Sequence, residues 1–239
     1  MIDIHCHLLY GVDDGPKKIE ESIQMLKEAK SQGISAMILT PHYRHGMFQY
    51  PLDEIMEHYK KLEPYASELG IKLYLGCEFH VHSRIAKYLQ TGRCLTMAES
   101  SYVLTEYSYD TSYETIYQMT SSLMMKGYIP IIAHVERYKV LAENLTNIQE
   151  LRKLGARIQV NADAILGKEG YHTKKLCKKL LKNMLVDFVA SDSHGTKQRS
   201  CHLRECYRYI EKKYDKAYAR KLMCENPKLI LGEQAEEQQ

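Results

Sequence analysis

The chain has 239 residues, of which 44% are hydrophobic and 26% charged, so it can bury a full core and is not disordered overall. Its net charge of +3 is too small to favour nucleic acid or an anionic membrane as a partner. The sequence has no apolar run of membrane-spanning length, and its start lacks the features of a signal peptide. The seven cysteines are odd in number and irregularly spaced, which is typical of reduced thiols. We therefore expect a cytoplasmic protein that does not span a membrane.

Short apolar runs alternate with longer segments of helical apolar spacing. The runs predict buried strands over Ile2–His7, Ile34–Thr40, Ile71–Phe79, Tyr102–Tyr107, Ile129–His134, Arg157–Ala162 and Val186–Ser191. This alternation indicates a parallel sheet with helices outside it, and about seven units predict a barrel close to the (β/α)₈ type with one strand fewer. A doubly wound open sheet is the alternative, although no glycine-rich nucleotide-binding motif occurs.

The segments between the strands are predicted to be helical. Pro16 is expected in the first turn of the first helix, and Pro64 can break or kink the second, Leu52–Leu69. Further helices are predicted over Tyr113–Lys126, Leu145–Leu154 and roughly His202–Cys224. In the fifth helix Met184 is expected to face the core with three leucines. The opposite side of this helix carries Lys174, Lys175, Lys178, Lys179 and Lys182. These lysines indicate a solvated face rather than a docking patch. We expect one domain over residues 1–231 and a polar tail over 232–239.

Residue types that bind metals stand at the carboxyl end of nearly every predicted strand. They are His5, His7, His42, Glu78, Glu106, His134, Asp192 and His194. In α/β barrels these ends meet on one face, so side chains distant in sequence should converge there. His5 and His7 are two residues apart on a strand, which directs both imidazoles to one face and Cys6 away from it. This number of ligands exceeds one tetrahedral site, so we expect two or three ions of Mn, Fe or Zn.

Two arginines, Arg137 and Arg199, follow the histidines of strands five and seven in loops on the same predicted face. A guanidinium group matches phosphate oxygens with two parallel hydrogen bonds, which favours a phosphate ligand. Taken singly, each could equally be a surface arginine in a solvent-exposed salt bridge.

In their order along the chain these motifs resemble the PHP (polymerase and histidinol phosphatase) superfamily. They are Ile2-Asp-Ile-His-Cys-His7, Val12-Asp-Asp-Gly15, Thr40-Pro-His42, Gly76-Cys-Glu78, Ala133-His-Val-Glu-Arg137, Gln159-Val-Asn-Ala162 and Ala190-Ser-Asp-Ser-His194. Within it, the chain is most similar to the manganese-dependent protein-tyrosine phosphatases of Gram-positive capsule and exopolysaccharide clusters, from Met1 to about Leu231.

The resemblance implies a distorted (β/α)₇ barrel that holds three Mn²⁺ ions. The first ion would bind His5, His7, Glu78 and Asp192. Glu78 would bridge to the second, which Glu106 and His134 also hold. The third would bind Asp14, His42 and His194, while Arg137 and Arg199 would clamp the phosphate.

The resemblance also implies hydrolysis of phosphotyrosine on a cognate bacterial tyrosine kinase, through its tyrosine-rich tail, as a control of capsule synthesis. None of the cysteines has arginine six positions later, so a thiol nucleophile is not expected. Three alternatives stay open: a histidinol-phosphate phosphatase, a metal-dependent nuclease that the near-neutral charge disfavours, and a non-catalytic, metal-stabilised module that docks a kinase.

Overall fold

The computed structural model describes residues 1–233. The strands are β1 Ile2–Cys6, β2 Ala36–Leu39, β3 His42–Tyr43, β4 Lys72–Leu75, β5 Glu78–His80, β6 Tyr102–Glu106, β7 Ile129–Ile132, β8 Arg157–Asn161 and β9 Phe188–Ala190. The helices are α1 Ile19–Ser31, α2 Leu52–Glu68, α3 Ile85–Gln90, α4 Tyr113–Met124, α5 Lys139–Glu143, α6 Leu145–Leu154, α7 Ala162–Leu166, α8 Tyr171–Lys182, α9 Leu203–Lys213, α10 Lys216–Arg220 and α11 Asn226–Ile230.

The strands form a ring of parallel strands. One sheet has the order β1-β2-β4 and the other β3-β5-β6-β7-β8-β9. The two sheets are continuous, because β2 runs on into β3 and β4 into β5 after breaks of two residues, and β3 pairs with β5 as β2 does with β4. A parallel bridge between Cys6 and Ser193 joins the last strand to the first. The predicted (β/α)₇ barrel is therefore confirmed, and the open doubly wound sheet is wrong.

A β-bulge in β1 lets the strand serve both the barrel interior and the site above it. Ile2 pairs with Ala36 and Asp3 with Met37. The next pair is Cys6 with Leu39, which is three positions further along β1 but two along β2, so β1 holds one extra residue. A bulge re-aims the side chains that follow it. Ile2 and Ile4 pack inside the barrel before the bulge, whereas Cys6 packs with the outer helices after it.

Two apolar layers hold the barrel together. The inner one is small and is formed mainly by side chains from the strands, among them Ile4, Ile38, Leu104, Ile131 and Phe188, together with Ile230 of α11. The outer one lies between the strands and the helices and contains most of the buried aliphatic residues. Because both faces of the strands are buried, the strands are apolar runs rather than alternating patterns, as is typical of parallel sheets.

Three details of the predicted helices are corrected. Helix α1 begins at Ile19, so Pro16 lies in the preceding loop, where its carbonyl accepts a hydrogen bond from Gly11. Helix α2 passes through Pro64 without a break, because Pro64 is on the exposed face, where water can satisfy the carbonyl left unpaired. Met184 is 50% exposed, since it lies beyond the end of α8 and helical spacing no longer applies to it.

Of the predicted tail over 232–239, residues 234–239 lie outside the described residues. Among the helices of residues 1–233, none combines the length and apolarity needed to cross a bilayer.

Candidate metal centre

The residues predicted from the strand ends meet in one pocket at the carboxyl end of the barrel. The ligand atoms form three groups, and the atoms within each group lie no more than 4.8 Å from one another. The groups are His5, His7, Glu78 and Asp192; His42, Glu78 and Glu106; and His7, Asp14, His42 and His194. Glu78 belongs to two of these groups, and so do His7 and His42. Carboxylates and imidazoles shared in this way are typical of a cluster of ions rather than of one isolated ion.

The first group is fully buried and combines both ends of the chain. Nε2 of His5 and Nε2 of His7 both lie 3.1 Å from Oε2 of Glu78. Oδ1 of Asp192 lies 3.5 Å from His5 Nε2 and 3.6 Å from His7 Nε2. Four ligand atoms thus surround one point, as the first predicted ion requires.

The second group shares the Glu78 carboxylate with the first. Oε1 of Glu78 lies 2.8 Å from Nε2 of His134, and Oε1 of Glu106 lies 4.0 Å from that nitrogen. Nδ1 of His42 lies 3.0 Å from the other Glu78 oxygen. The geometry therefore forms this group from His42, Glu78 and Glu106 and leaves His134 beside it, in contact with Glu78. The resemblance instead gave His134 to the second ion and His42 only to the third.

The third group faces the pocket entrance. Oδ1 of Asp14 lies 3.4 Å from Nε2 of His42 and 3.2 Å from Nε2 of His194. The Asp14 side chain is 44% exposed, in contrast to the buried carboxylates of Glu78 and Asp192. The rings of His7 and His194 stack at 3.9 Å, so His7 lies between the first and third groups.

Buried partners outside the three groups fix the orientation of the imidazoles. Asp13 Oδ2 lies 2.8 Å from Nδ1 of His7, and Gln159 Oε1 lies 3.2 Å from Nδ1 of His5. In the neutral tautomers that donate through Nδ1, both Nε2 atoms carry lone pairs, and they lie only 3.3 Å apart. Two lone pairs aimed at the same point are satisfied by a cation, so these residues fit a metal.

Further atoms support this fit. Within residues 1–233, several buried ligand atoms have no hydrogen-bond partner: His42 Nδ1, Glu78 Oε2, Glu106 Oε2 and His194 Nε2. Buried polar atoms are normally paired, because an unpaired one costs about 1–3 kcal/mol of desolvation. Several such atoms in one pocket, all of types that bind metals, indicate a polynuclear cation site.

The electrostatics of the pocket keep the Glu78 and Asp192 carboxylates ionised. Burial opposes the charge of Glu78, but the imidazoles of His5 and His42 outweigh it and hold its pKa well below the usual range. Asp192 is also buried, and His5 with Arg137 lowers the pKa of Asp192. Burial and the neighbouring His7 lower the pKa of His194 to about 4, so this imidazole is neutral and able to ligate.

The two arginines lie at the rim of the same pocket. Arg137 Nη1 is 3.0 Å from Asp192 Oδ2, and Arg199 Nη2 is 3.2 Å from the other oxygen of that carboxylate. Both side chains are partly exposed, at 36% and 43%, so each guanidinium can also meet a ligand from solvent. His134, Asp192 and Arg199 adopt positive φ values of 30°, 51° and 50°, the kind of strain that folds retain at functional sites.

Sequence interpretation missed the role of Asp13, although it is part of the Asp-Asp-Gly motif. Asp13 is a buried hydrogen-bond acceptor for His7, His42 and Gly15, whereas only Asp14 reaches the cluster itself. Gln159 was noted at its strand end but not given its role as the partner of His5. Cys6 was correctly placed away from the ligands, since its Sγ contacts the carbonyl of Ile38.

A parallel barrel with clustered imidazoles and carboxylates at its carboxyl end defines a TIM-barrel-like metal-dependent hydrolase. Residues 1–232 match the model of the capsular polysaccharide synthesis family CpsB/CapC. The chain belongs to this family.

Named relatives agree over the full length. Tyrosine-protein phosphatase CpsB of Streptococcus pneumoniae is 35% identical over 98% of this chain and 99% of its own. Tyrosine-protein phosphatase YwqE of Bacillus subtilis is 32% identical over 98% and 92%. The family match and these relatives confirm the predicted resemblance to the PHP phosphatases of capsule clusters.

Solved structures agree with the fold. One described for YwqE of Bacillus subtilis and CpsB of Streptococcus pneumoniae, as unique metal-dependent tyrosine phosphatases, has a TM-score of 0.88 at 30% identity, covering 100% of this chain and 97% of the other. A histidinol phosphate phosphatase of Lactococcus lactis has a TM-score of 0.60 at 17% identity, covering 89% and 92%, and shares the fold alone.

Proposed function

We propose that this protein is a metal-dependent protein-tyrosine phosphatase. The observation that carries the proposal is the junction of three ligand groups through the shared residues Glu78, His7 and His42, with two arginines at their edge. The full-length relatives named tyrosine-protein phosphatase support it. We assign three Mn²⁺ ions to the residues given by the resemblance: His5, His7, Asp14, His42, Glu78, Glu106, His134, Asp192 and His194.

The side chains have distinct tasks in this hydrolysis. A divalent metal, when bound, lowers the pKa of a coordinated water towards neutrality and so supplies the nucleophile. Asp13 and Gln159 hold His7 and His5 in the ligating orientation. Arg137 and Arg199 bind the equatorial phosphoryl oxygens, where negative charge accumulates in the transition state.

An apolar edge of the pocket favours an aromatic phosphate ester. Phe48 lies parallel to the His42 ring at 5.1 Å and lines the metal pocket together with Met47, which is 61% exposed. A phenyl ring between these side chains would be removed from water while its phosphate reaches the arginines. The phenolate of tyrosine, with a pKa of about 10, also leaves more readily than a serine alkoxide.

We further propose that the substrate is the tyrosine-rich tail of a cognate bacterial tyrosine kinase and that dephosphorylation regulates capsule or exopolysaccharide synthesis. The family match supports the capsule setting. We place the protein in the cytoplasm, in line with its seven free cysteines. The catalytic domain is assigned to residues 1–231.

Removal and return of the metal tests the proposal. EDTA is expected to abolish turnover of a phosphotyrosyl peptide, and Mn²⁺ to restore it in preference to Zn²⁺ or Fe²⁺. Full activity in a thoroughly chelated sample would contradict the mechanism. Histidinol phosphate is assayed beside the peptide, and a higher kcat/KM on histidinol phosphate would overturn the substrate class.

A folded Asp192→Ala variant separates catalysis from docking. It removes a ligand of the first group, so we expect no turnover and an altered capsule. An unchanged capsule in cells that carry this variant would instead favour the non-catalytic docking role.

A further inference from the structure

A groove of about 940 Å³ opens beside the metal pocket, whose own cavity is about 370 Å³. The two share Arg44, Glu106, His134 and Arg137 in their walls, so the groove is continuous with the site. The metal pocket has the volume of a small-ligand site and can take a phosphoryl group with its ring. The groove is thus available to the peptide that carries the phosphotyrosine.

The wall of this groove distant from the metals carries positive charge. Lys139 of α5 and Lys175 and Lys179 of α8 line it, and all three are exposed. Helix α8 contains five lysines and neither aspartate nor glutamate. Among the ion pairs within residues 1–233, the three groove lysines take part in none.

The carboxylates of the groove do not neutralise this charge. Glu169 pairs with Arg137 at 3.3 Å, and Glu106 belongs to the metal cluster. Glu136 is buried and accepts a hydrogen bond from the backbone of Asn161. Glu143, at the end of α5, is an exposed carboxylate that faces the groove with the lysines. The lysines therefore outnumber the exposed carboxylates there, so the groove complements a negatively charged segment.

We propose that this groove binds acidic residues next to the phosphotyrosine, which makes the preferred substrate class phosphotyrosyl segments with aspartate or glutamate on one side. The inference rests on the proposed phosphatase function and adds the sequence context of the substrate. Exposed lysines attract such a segment over several ångströms, so the preference depends on ionic strength. Only two of the five α8 lysines, Lys175 and Lys179, line the groove. The solvated face predicted from sequence describes Lys178 and Lys182, whereas Lys174 is half-buried and donates a hydrogen bond to the Leu166 carbonyl.

The test uses the full chain loaded with Mn²⁺ and three phosphotyrosyl peptides of equal length with acidic, neutral or basic flanks. The double variant Lys175→Glu/Lys179→Glu reverses the groove charge. Its matched control, Lys178→Glu/Lys182→Glu, makes the same change on the same helix at exposed positions that do not line the groove. Rates are normalised to p-nitrophenyl phosphate, which is too short to reach the lysines and also shows that each variant is folded and loaded.

The wild-type chain is expected to prefer the acidic over the neutral peptide by about tenfold in kcat/KM, chiefly through KM, with the preference falling as salt is added. The groove variant should lose this preference and the control should keep it. Equal loss in both variants would assign the effect to the overall field and overturn the groove site. If the wild type hydrolyses all three peptides equally, the groove inference fails while the phosphatase function stands. If it hydrolyses none of them, both fail.

Discussion

The substitution Asp13→Asn tests whether a side chain outside the metal cluster controls metal binding. The buried Asp13 carboxylate accepts hydrogen bonds through Oδ2 from His7 Nδ1 at 2.8 Å and from the His42 N–H at 3.1 Å. Its Oδ1 accepts the Gly15 N–H at 2.9 Å. An asparagine keeps the shape but replaces one oxygen with an NH₂ group. The amide will place its oxygen towards His7 and His42, because the reverse orientation faces two donors instead of one.

The expected loss follows from this geometry. The preferred amide orientation leaves the Gly15 N–H against a donor, and an unsatisfied buried donor costs about 1–3 kcal/mol. If the Gly15 N–H regains a partner when the metal leaves, the full penalty falls on the metal-bound protein. At about 1.4 kcal/mol for each factor of ten, Mn²⁺ binding then weakens by roughly 5- to 150-fold. The lost negative charge acts in the same direction, because it makes the His7 imidazole a poorer ligand.

Calorimetric titration of the metal-stripped protein with Mn²⁺ measures this change. Asp110→Asn is the control, since Asp110 is an exposed carboxylate outside the three ligand groups. A folded Asp13→Asn protein with Mn²⁺ affinity within about twofold of the wild type would refute the assigned orientation of His7. Loss of affinity in both variants would point instead to the overall charge.

Three further outcomes are expected. Burial and the nearby Glu78 carboxylate raise the pKa of Glu106 to about 7, so the metal-free side chain is protonated below this pH and must release a proton on binding. Titrations in buffers of different ionisation enthalpy should show more protons released at pH 6 than at pH 8.5, and Glu106→Gln should reduce the difference. Phe48→Ala should raise KM for phosphotyrosine about tenfold through lost ring packing, whereas an equal effect on an alkyl phosphate would refute aromatic selection. Gly15→Ala places a Cβ in steric clash with the His7 carbonyl oxygen, so the melting temperature and Mn²⁺ affinity should both fall, and a variant with wild-type values for both would show that the loop can shift.

Much of the site could be predicted from the sequence because of the architecture. Buried parallel strands are apolar runs, so a histidine or carboxylate at the end of such a run is conspicuous, as at His134 and Glu106. Barrel closure then brings strand ends together wherever they occur in the chain. His5 and Asp192 are 187 positions apart in sequence, yet Oδ1 of the aspartate lies 3.5 Å from the imidazole.

Other features depend on contacts that no local pattern encodes. Strict alternation would set Ile2 and Ile4 on the face opposite His5 and His7, whereas the bulge in β1 places the isoleucines inside the barrel below the imidazoles. The turn that places Asp13 beneath His7 likewise depends on contacts that no local pattern encodes. This turn lies where the helix was predicted to begin, at Pro16, and α1 begins instead at Ile19.

The sequence by itself therefore determined the strand and helix alternation, the barrel and the chemical types of the ligands. Tertiary structure alone decided which imidazole nitrogen faces the cluster, that His42 lies near two ligand groups, and which lysines of α8 border the groove. The physical reason is the difference in range. Periodicity records the average burial of a segment, whereas ligand orientation depends on single hydrogen bonds between residues that meet only after the barrel has closed.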